Sequence, residues 1–271
     1  MEAQNIQNPH LSTLKALAAL FFGFLMGAAA GLIGVGGGEF RIPILLYILG
    51  LSVTTAVAVN LLVGLLTVIT SFTTRFQLGL FDTNTFNTAL FMSLGSIVGA
   101  YIGALLTGRI HEKPLKKVLA IFLIIIGLKI GLEPFIHTPP LPLHFTLDVL
   151  QESILAVLVG VIIGIISGAL GVAGGEFRIP VLIYLFSLDI KAAGTASLLV
   201  SIPTVAMGFI KHHQMGHTNQ GATAIAIVMG AASIFGALVG ALYATTIEKD
   251  VLKVLLGVIL ILATIRMITK P

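Results

Sequence analysis

The fold class predicted by this chain is an all-α polytopic membrane protein of two inverted-topology repeats. Each repeat holds about five hydrophobic segments, with short broken or re-entrant helices among them. Three observations carry the prediction. The 271 residues are 57% hydrophobic and 10% charged, with a mean hydropathy of +1.08, whereas a globular chain carries about 25% charge. An eight-residue phrase occurs twice, as GGGEFRIP at Gly36–Pro43 and AGGEFRIP at Ala173–Pro180. Apolar segments of similar length surround both copies.

The duplication extends well beyond the phrase. In one ungapped register, Leu61-Leu62-Val63 recurs as Leu198-Leu199-Val200, and Thr67-Val68 recurs as Thr204-Val205. Gly99-Ala100 and Gly103-Ala104-Leu105 recur as Gly236-Ala237 and Gly240-Ala241-Leu242. Scattered leucine matches arise easily in so apolar a chain. A shared charged phrase and shared glycine pairs in one register do not.

The segments follow in order. The first repeat predicts helices over Leu14–Leu32, Pro43–Leu49, Thr54–Phe72, Phe86–Thr107 and Leu115–Leu132. The second predicts Ile154–Leu170, Pro180–Leu188, Ala192–Ile210, Gly221–Thr245 and Val251–Ile268. Most approach the roughly 20 residues needed to cross a bilayer. The two segments that begin at Pro43 and Pro180 are half that long and rise roughly 15 Å. Each is expected to reach mid-membrane, or to continue a tilted crossing that unwinds at the glycines. Both choices leave its outer end on the face where the preceding helix began. Three further crossings give each repeat an odd total, so the second repeat is inverted. The expected division is residues 1–132, an external linker at 133–150 rich in proline (Pro134, Pro139, Pro140, Pro142), and residues 151–271, forming one integrated transport domain.

Positive residues orient the chain. Arg109, Lys113, Lys116 and Lys117 place their loop in the cytoplasm, while the linker has Glu133 and Asp148 but no Lys or Arg. Lys211, Arg266 and Lys270 fall inside with it, whereas Lys249 and Lys253 face out. Both termini are expected inside, in the cell inner membrane. The first hydrophobic stretch reads as retained rather than cleaved, because no basic region precedes it. The net charge of +4 does not point to nucleic acid, since the basic residues lie between hydrophobic segments. Cysteine is absent, which excludes disulfides, thiolate metal sites and a cysteine nucleophile.

The repeated phrase is the candidate site. Gly36, Gly37 and Gly38 (with Gly174 and Gly175 in the second copy) permit unusual dihedrals and close backbone approach. Ile42 precedes Pro43, which disfavours helix there. The phrase therefore predicts a non-helical crossing, followed by a helix with proline in its first turn. Helix N-termini attract anions, and Arg41 and Arg178 add fixed positive charge with a donor fork suited to oxyanions. In an extended segment, residues two apart point the same way. Glu39 would then pair with Arg41, and Glu176 with Arg178. Two readings follow: buried structural pairs, or arginines that hold the anion with Glu39 and Glu176 carrying protons or gating.

The phrases GLIGVGGGEFRIP and GALGVAGGEFRIP, with KAAGTASLLV and GSIVGAYIGALLTGRIHEKPLKKVLAIFLIIIGLKI, resemble the sulfite exporter TauE/SafE family of membrane permeases. The resemblance covers most of the chain. It implies a carrier of two homologous halves for sulfite, sulfonates or other small organosulfur anions, driven by the proton gradient. The family phrase commonly has apolar residues after its glycines. Here Glu and Arg stand there in both halves, a departure that bears on substrate and coupling.

Further polar positions complete the candidates. Asn60 and Ser197 are repeat equivalents, and Thr195 lies beside Ser197 in GTAS. All three are expected to contact the anion or to hydrogen-bond between helices. Thr67 and Thr204 match likewise. Pro203 is expected to kink its helix. His212, His213 and His217 read as a solvated loop rather than a metal site, as do His111, His137 and His144. Arg75 reads as an interfacial anchor, with an entrance charge for anions as the alternative. The functional expectation is secondary transport of a small oxyanion, sulfite or an organosulfonate, coupled to protons. A passive anion channel is the first alternative and a membrane scaffold the second. No enzyme motif, metal or cofactor is expected. The expected partners are the anion, protons and membrane lipid, with no nucleic acid, in a monomer or homodimer.

Overall fold

The computed structural model describes residues 12–81, 83–106, 112–136, 148–218 and 220–269. Among these residues every regular element is helical. They are α1 (Thr13–Ile33), α2 (Gly38–Pro43) with a π-helical continuation at Ile44–Ile48, α3 (Val53–Gln77), α4 (Thr83–Leu106) and α5 (Glu112–Leu132). The second half holds α6 (Val149–Leu170), α7 (Gly175–Tyr184), α8 (Ile190–Gln214), α9 (Gln220–Thr246) and α10 (Lys249–Thr269). α1, α3, α4, α6, α8 and α9 are each long and apolar enough to cross a bilayer. Their outward positions, such as Phe21, Leu158, Ile227 and Phe235, are large and apolar, as a lipid-facing surface requires. Arg109, His111, His137, Pro139, Pro140, Pro142, His144 and Lys270 lie outside the described residues.

Small residues set the packing, and their order reveals its direction. Along α1, Gly23, Gly27 and Gly31 lie against the backbone of Met229, Ser233 and Ala237 in α9. Both sets of numbers rise together, so the two helices are parallel. α4 and α6 repeat the arrangement, with Gly95, Gly99 and Gly103 on Val157, Val161 and Ile165. Close backbone contact through small residues is how membrane helices gain van der Waals energy. α5 and α10 instead run antiparallel. Lys253, in the first turns of α10, bonds Glu133 just past the end of α5 (2.8 Å). Two parallel cross-repeat pairs and one antiparallel pair of equivalents are what a two-fold axis in the membrane plane produces. The repeats are inverted.

α2 and α7 are re-entrant. Lys15 Nζ, at the start of α1, donates to Leu49 O beyond the π turn at 3.0 Å. The α1–α2 hairpin thus opens and closes on one face. At the other end of the molecule, Tyr184 at the end of α7 donates to Glu133 Oε2 at 3.0 Å.

The expectation that these short helices start at Pro43 and Pro180 is corrected. They start at Gly38 and Gly175, with Gly37 (φ 69°) and Gly174 (φ 76°) as left-handed N-caps. The non-helical break is confined to the residues before them, so Glu39, Phe40 and Arg41 are helical. The local bias of Ile42 and Pro43 against helix is outweighed. Each proline removes one bond to the residue four before it, and only one turn precedes that point. α3 and α8 are also longer than their apolar stretches suggest. They reach Gln77 and Gln214, which draws Arg75 and His212 into their last turns.

Candidate transport site

The two glycine breaks meet at the centre of the molecule. Gly36 is left-handed (φ 89°), and a Cβ there would lie 2.7 Å from Ala173 Cβ. A Cβ on Gly175 would lie 2.6 Å from Val35 O. Neither position tolerates a side chain, which is why both phrases are glycine-rich. The N-termini of α2 and α7 are brought together from opposite faces.

Arg41 and Arg178 are fully buried and anchored in a matching way. Arg41 Nη1 donates to Asn60 Oδ1 (3.1 Å) and Asn60 O (3.4 Å), and its Nη2 donates to Gly36 O (3.4 Å). Arg178 Nη1 donates to Ser201 Oγ (2.7 Å) and Ser197 O (3.0 Å), and its Nη2 donates to Ala173 O (3.4 Å). The polar side chain has moved by one helical turn between the repeats. Asn60 in α3 is replaced by Ser197, while Ser201 replaces Gly64. Each arginine keeps one side-chain acceptor and the carbonyl of its own break. Asn60 Nδ2 also donates to Gly171 O at 2.8 Å, tying α3 to the break of the other repeat. The Nε donors of both arginines, and Ser197 Oγ, have no protein partner.

The expected Glu39–Arg41 and Glu176–Arg178 pairs do not form. The segment is helical, so side chains two apart point about 200° apart. Glu39 is 7% and Glu176 1% exposed, and none of their carboxylate oxygens has a hydrogen-bond partner. The Glu176 carboxyl lies close enough to that of Glu39 for the two to interact across the contact of the repeats. The centre therefore holds two acids that neighbour each other rather than pairing with a cation, and two guanidinium Nε donors without an acceptor, all buried. Unsatisfied buried groups are rare in native proteins, which marks these as candidates for function.

The remaining candidates are placed as follows. Thr195 Oγ1 accepts from Arg75 Nε at 2.9 Å and donates to Lys191 O at 2.9 Å. Thr67 and Thr204 donate to carbonyls of their own helices, Val63 O and Val200 O. Arg75 is neither an anchor at the interface nor an entrance charge, since it is fully buried and binds backbone of two other helices. The signal that could have found it is its repeat equivalence to His212, in the corresponding last turn of α8. His212 is also buried rather than solvated, with Nδ1 3.0 Å from His217 Nδ1. Among the described residues no three histidines or acids are grouped to hold a metal.

Inverted repeats, paired re-entrant helices and a sealed polar centre are the architecture of a membrane transporter. The sulfite exporter TauE/SafE family model matches residues 3–130 and 156–271, and the chain belongs to this family. It is 24% identical over 258 residues to the "Probable membrane transporter protein YunE" of Bacillus subtilis (strain 168), covering 89% of this chain and 92% of that one. It is 27% identical over 270 residues to the "Probable membrane transporter protein ORF9" of Sinorhizobium sp, covering 97% and 94%. A second Bacillus subtilis (strain 168) relative, "Probable membrane transporter protein YjnA", is 24% identical over 237 residues, covering 84% and 88%. No solved structure matches. The chain is a multi-pass membrane protein of a transporter family.

Proposed function

We propose that this protein is a secondary carrier for a small oxyanion, sulfite or an organosulfonate, and that a proton accompanies the anion. The observation that carries the proposal is the pair of buried arginines, one from each inverted repeat, whose Nε donors have no protein acceptor. Planar N–H donors of this kind suit oxyanions. In this reading Gly36, Gly37, Gly38, Gly174 and Gly175 let the anion approach the backbone, while Asn60 and Ser197 border it. Thr195 is assigned to holding Arg75. Glu39 and Glu176 supply the coupling. Two adjacent buried carboxylates beside an incoming anion would be strongly unfavourable as three negative charges. A proton taken up by the pair removes that conflict, so proton and anion move together.

The transport unit is residues 1–132 and 151–271, joined by the external linker, with both termini cytoplasmic. The test is flux into proteoliposomes with sulfite, sulfonates, sulfate and carboxylates, with and without a pH gradient. Saturable sulfite or sulfonate flux that the gradient accelerates is expected. Saturable flux of none of these anions sinks the proposal, and large conductance without proton coupling replaces it with a channel.

A further inference from the structure

Arg75 bridges two helices at one face of the molecule. Its Nη1 donates to Gly31 O (2.9 Å) and Leu32 O (2.8 Å), two of the last carbonyls of α1. Its Nη2 donates to Lys191 O (2.8 Å) and its Nε to Thr195 Oγ1 (2.9 Å), both in the first turns of α8. Carbonyls at a helix end have no intrahelical partner and carry partial negative charge, so a guanidinium fits them well. One side chain of α3 thus fastens α1 of its own repeat to α8 of the other. Gly194 allows the approach, since a Cβ there would lie 3.1 Å from Arg75 Nη2. This is the face that carries Glu133 and Lys253.

The opposite face is fastened differently. Its equivalent residue, His212, reaches His217 within its own repeat, and its Nε2 is buried without a partner. A histidine in place of arginine brings two ring nitrogens where Arg75 brings five N–H donors. The inversion makes the two faces alike in backbone, and this exchange makes them unlike in closure.

We propose that Arg75 is a positioning residue for transport: a lock that holds the Glu133 face shut and must leave α8 when that face opens. The face at His212 then opens at lower cost, and the carrier rests with its Glu133 face closed. The inference rests on the carrier reading but on no particular anion. Its test needs no substrate, so its failure is distinguishable from failure of the sulfite assignment.

The chain has no cysteine, so a single introduced thiol reports access directly. Ser71 lies one turn inward of Arg75 on α3, is fully buried, and its hydroxyl has no partner. Ser71→Cys reports the Glu133 face. Gly208→Cys, at the repeat-equivalent position, reports the other, where a Cβ meets only the flexible Leu61 side chain at 3.4 Å. A membrane-impermeant maleimide is applied from each side of oriented vesicles. Arg75→Gln is expected to speed labelling of Ser71→Cys from the Glu133 face by about tenfold or more, equivalent to about 1.4 kcal/mol. Gly208→Cys labelling stays level or falls. Arg75→Lys, which cannot span both helices from a single nitrogen, recovers part of the closure. If Arg75→Gln cannot be purified folded, Thr195→Val carries the test with an increase of about threefold for one lost bond. Unchanged Ser71→Cys labelling overturns the proposal. Equal acceleration at both probes overturns it as well, since that is general loosening.

Discussion

Converting the polar pattern around Arg41 into that around Arg178 tests whether the two arginines are held for the same purpose. Asn60→Ser removes the Oδ1 acceptor 3.1 Å from Arg41 Nη1 and leaves the carbonyl contact at 3.4 Å. A hydrogen bond to a charged group contributes about 1.5–3 kcal/mol, and the length of this one favours the lower end. If the bond fixes the guanidinium for anion binding, its loss weakens apparent affinity about tenfold. Gly64→Ser supplies the replacement. A Cβ at Gly64 lies 3.6 Å from Arg41 Nη1 and 3.8 Å from Val205 Cγ1, so it fits, and a seryl Oγ one bond further reaches the guanidinium. Ser201 makes the corresponding bond to Arg178 at 2.7 Å. The assay is the half-saturating concentration for sulfite flux in proteoliposomes. Asn60→Ser should raise it about tenfold, and Asn60→Ser with Gly64→Ser should recover most of the loss. Recovery stops short of complete because the Asn60 Nδ2 bond to Gly171 O stays broken. A double variant no better than Asn60→Ser would refute the reasoning.

Three other outcomes are expected. Glu39→Gln and Glu176→Gln should each abolish acceleration of flux by a pH gradient while leaving the fold intact by size-exclusion chromatography; undiminished acceleration removes that residue from coupling. Gly27→Ala places a Cβ inside the van der Waals radius of Ser233 O, where backbone cannot yield. It should cost about 1–3 kcal/mol and lower the melting temperature by several degrees, unlike Gly208→Ala. Glu133 tests the outer ion network by pH. Burial alone would raise its carboxyl, but hydrogen bonds from Lys253 and Tyr184, with the charges of Lys253 and Lys129, outweigh burial and hold it below its ordinary 4.5. A depressed carboxyl contributes stability above its unfolded value and loses it as pH falls through the folded one. Glu133→Gln should therefore melt lower than wild type at neutral pH, with the gap closing only below pH 4.5; a constant gap down to strong acid contradicts this.

Much of the fold was legible because the chain states it twice. The ungapped register and the odd number of crossings imply inverted repeats, and the glycine contacts of α1 with α9 and α4 with α6 follow that geometry. The start of α2 was not legible, because Ile42-Pro43 signals a local break that one preceding helical turn tolerates. That error propagated into the site. An extended segment would pair Glu39 with Arg41, whereas a helix separates them and turns Glu39 toward Glu176. Arg75 was misread because hydropathy falls before α3 ends, so a buried lock looked like an interfacial charge. The exchange of Asn60 and Gly64 for Ser197 and Ser201 was visible in the repeat register. Its meaning required knowing that both positions sit beside the arginine.

The central claim is that an oxyanion binds at the guanidinium donors where the two repeats meet. Selenite, an anomalously scattering analogue of sulfite, tests it most directly in crystals of the protein. The account predicts an anomalous peak within hydrogen-bond reach of Nε of Arg41 or Arg178, lost in Arg41→Gln with Arg178→Gln. A peak elsewhere, or one that survives both substitutions, contradicts it.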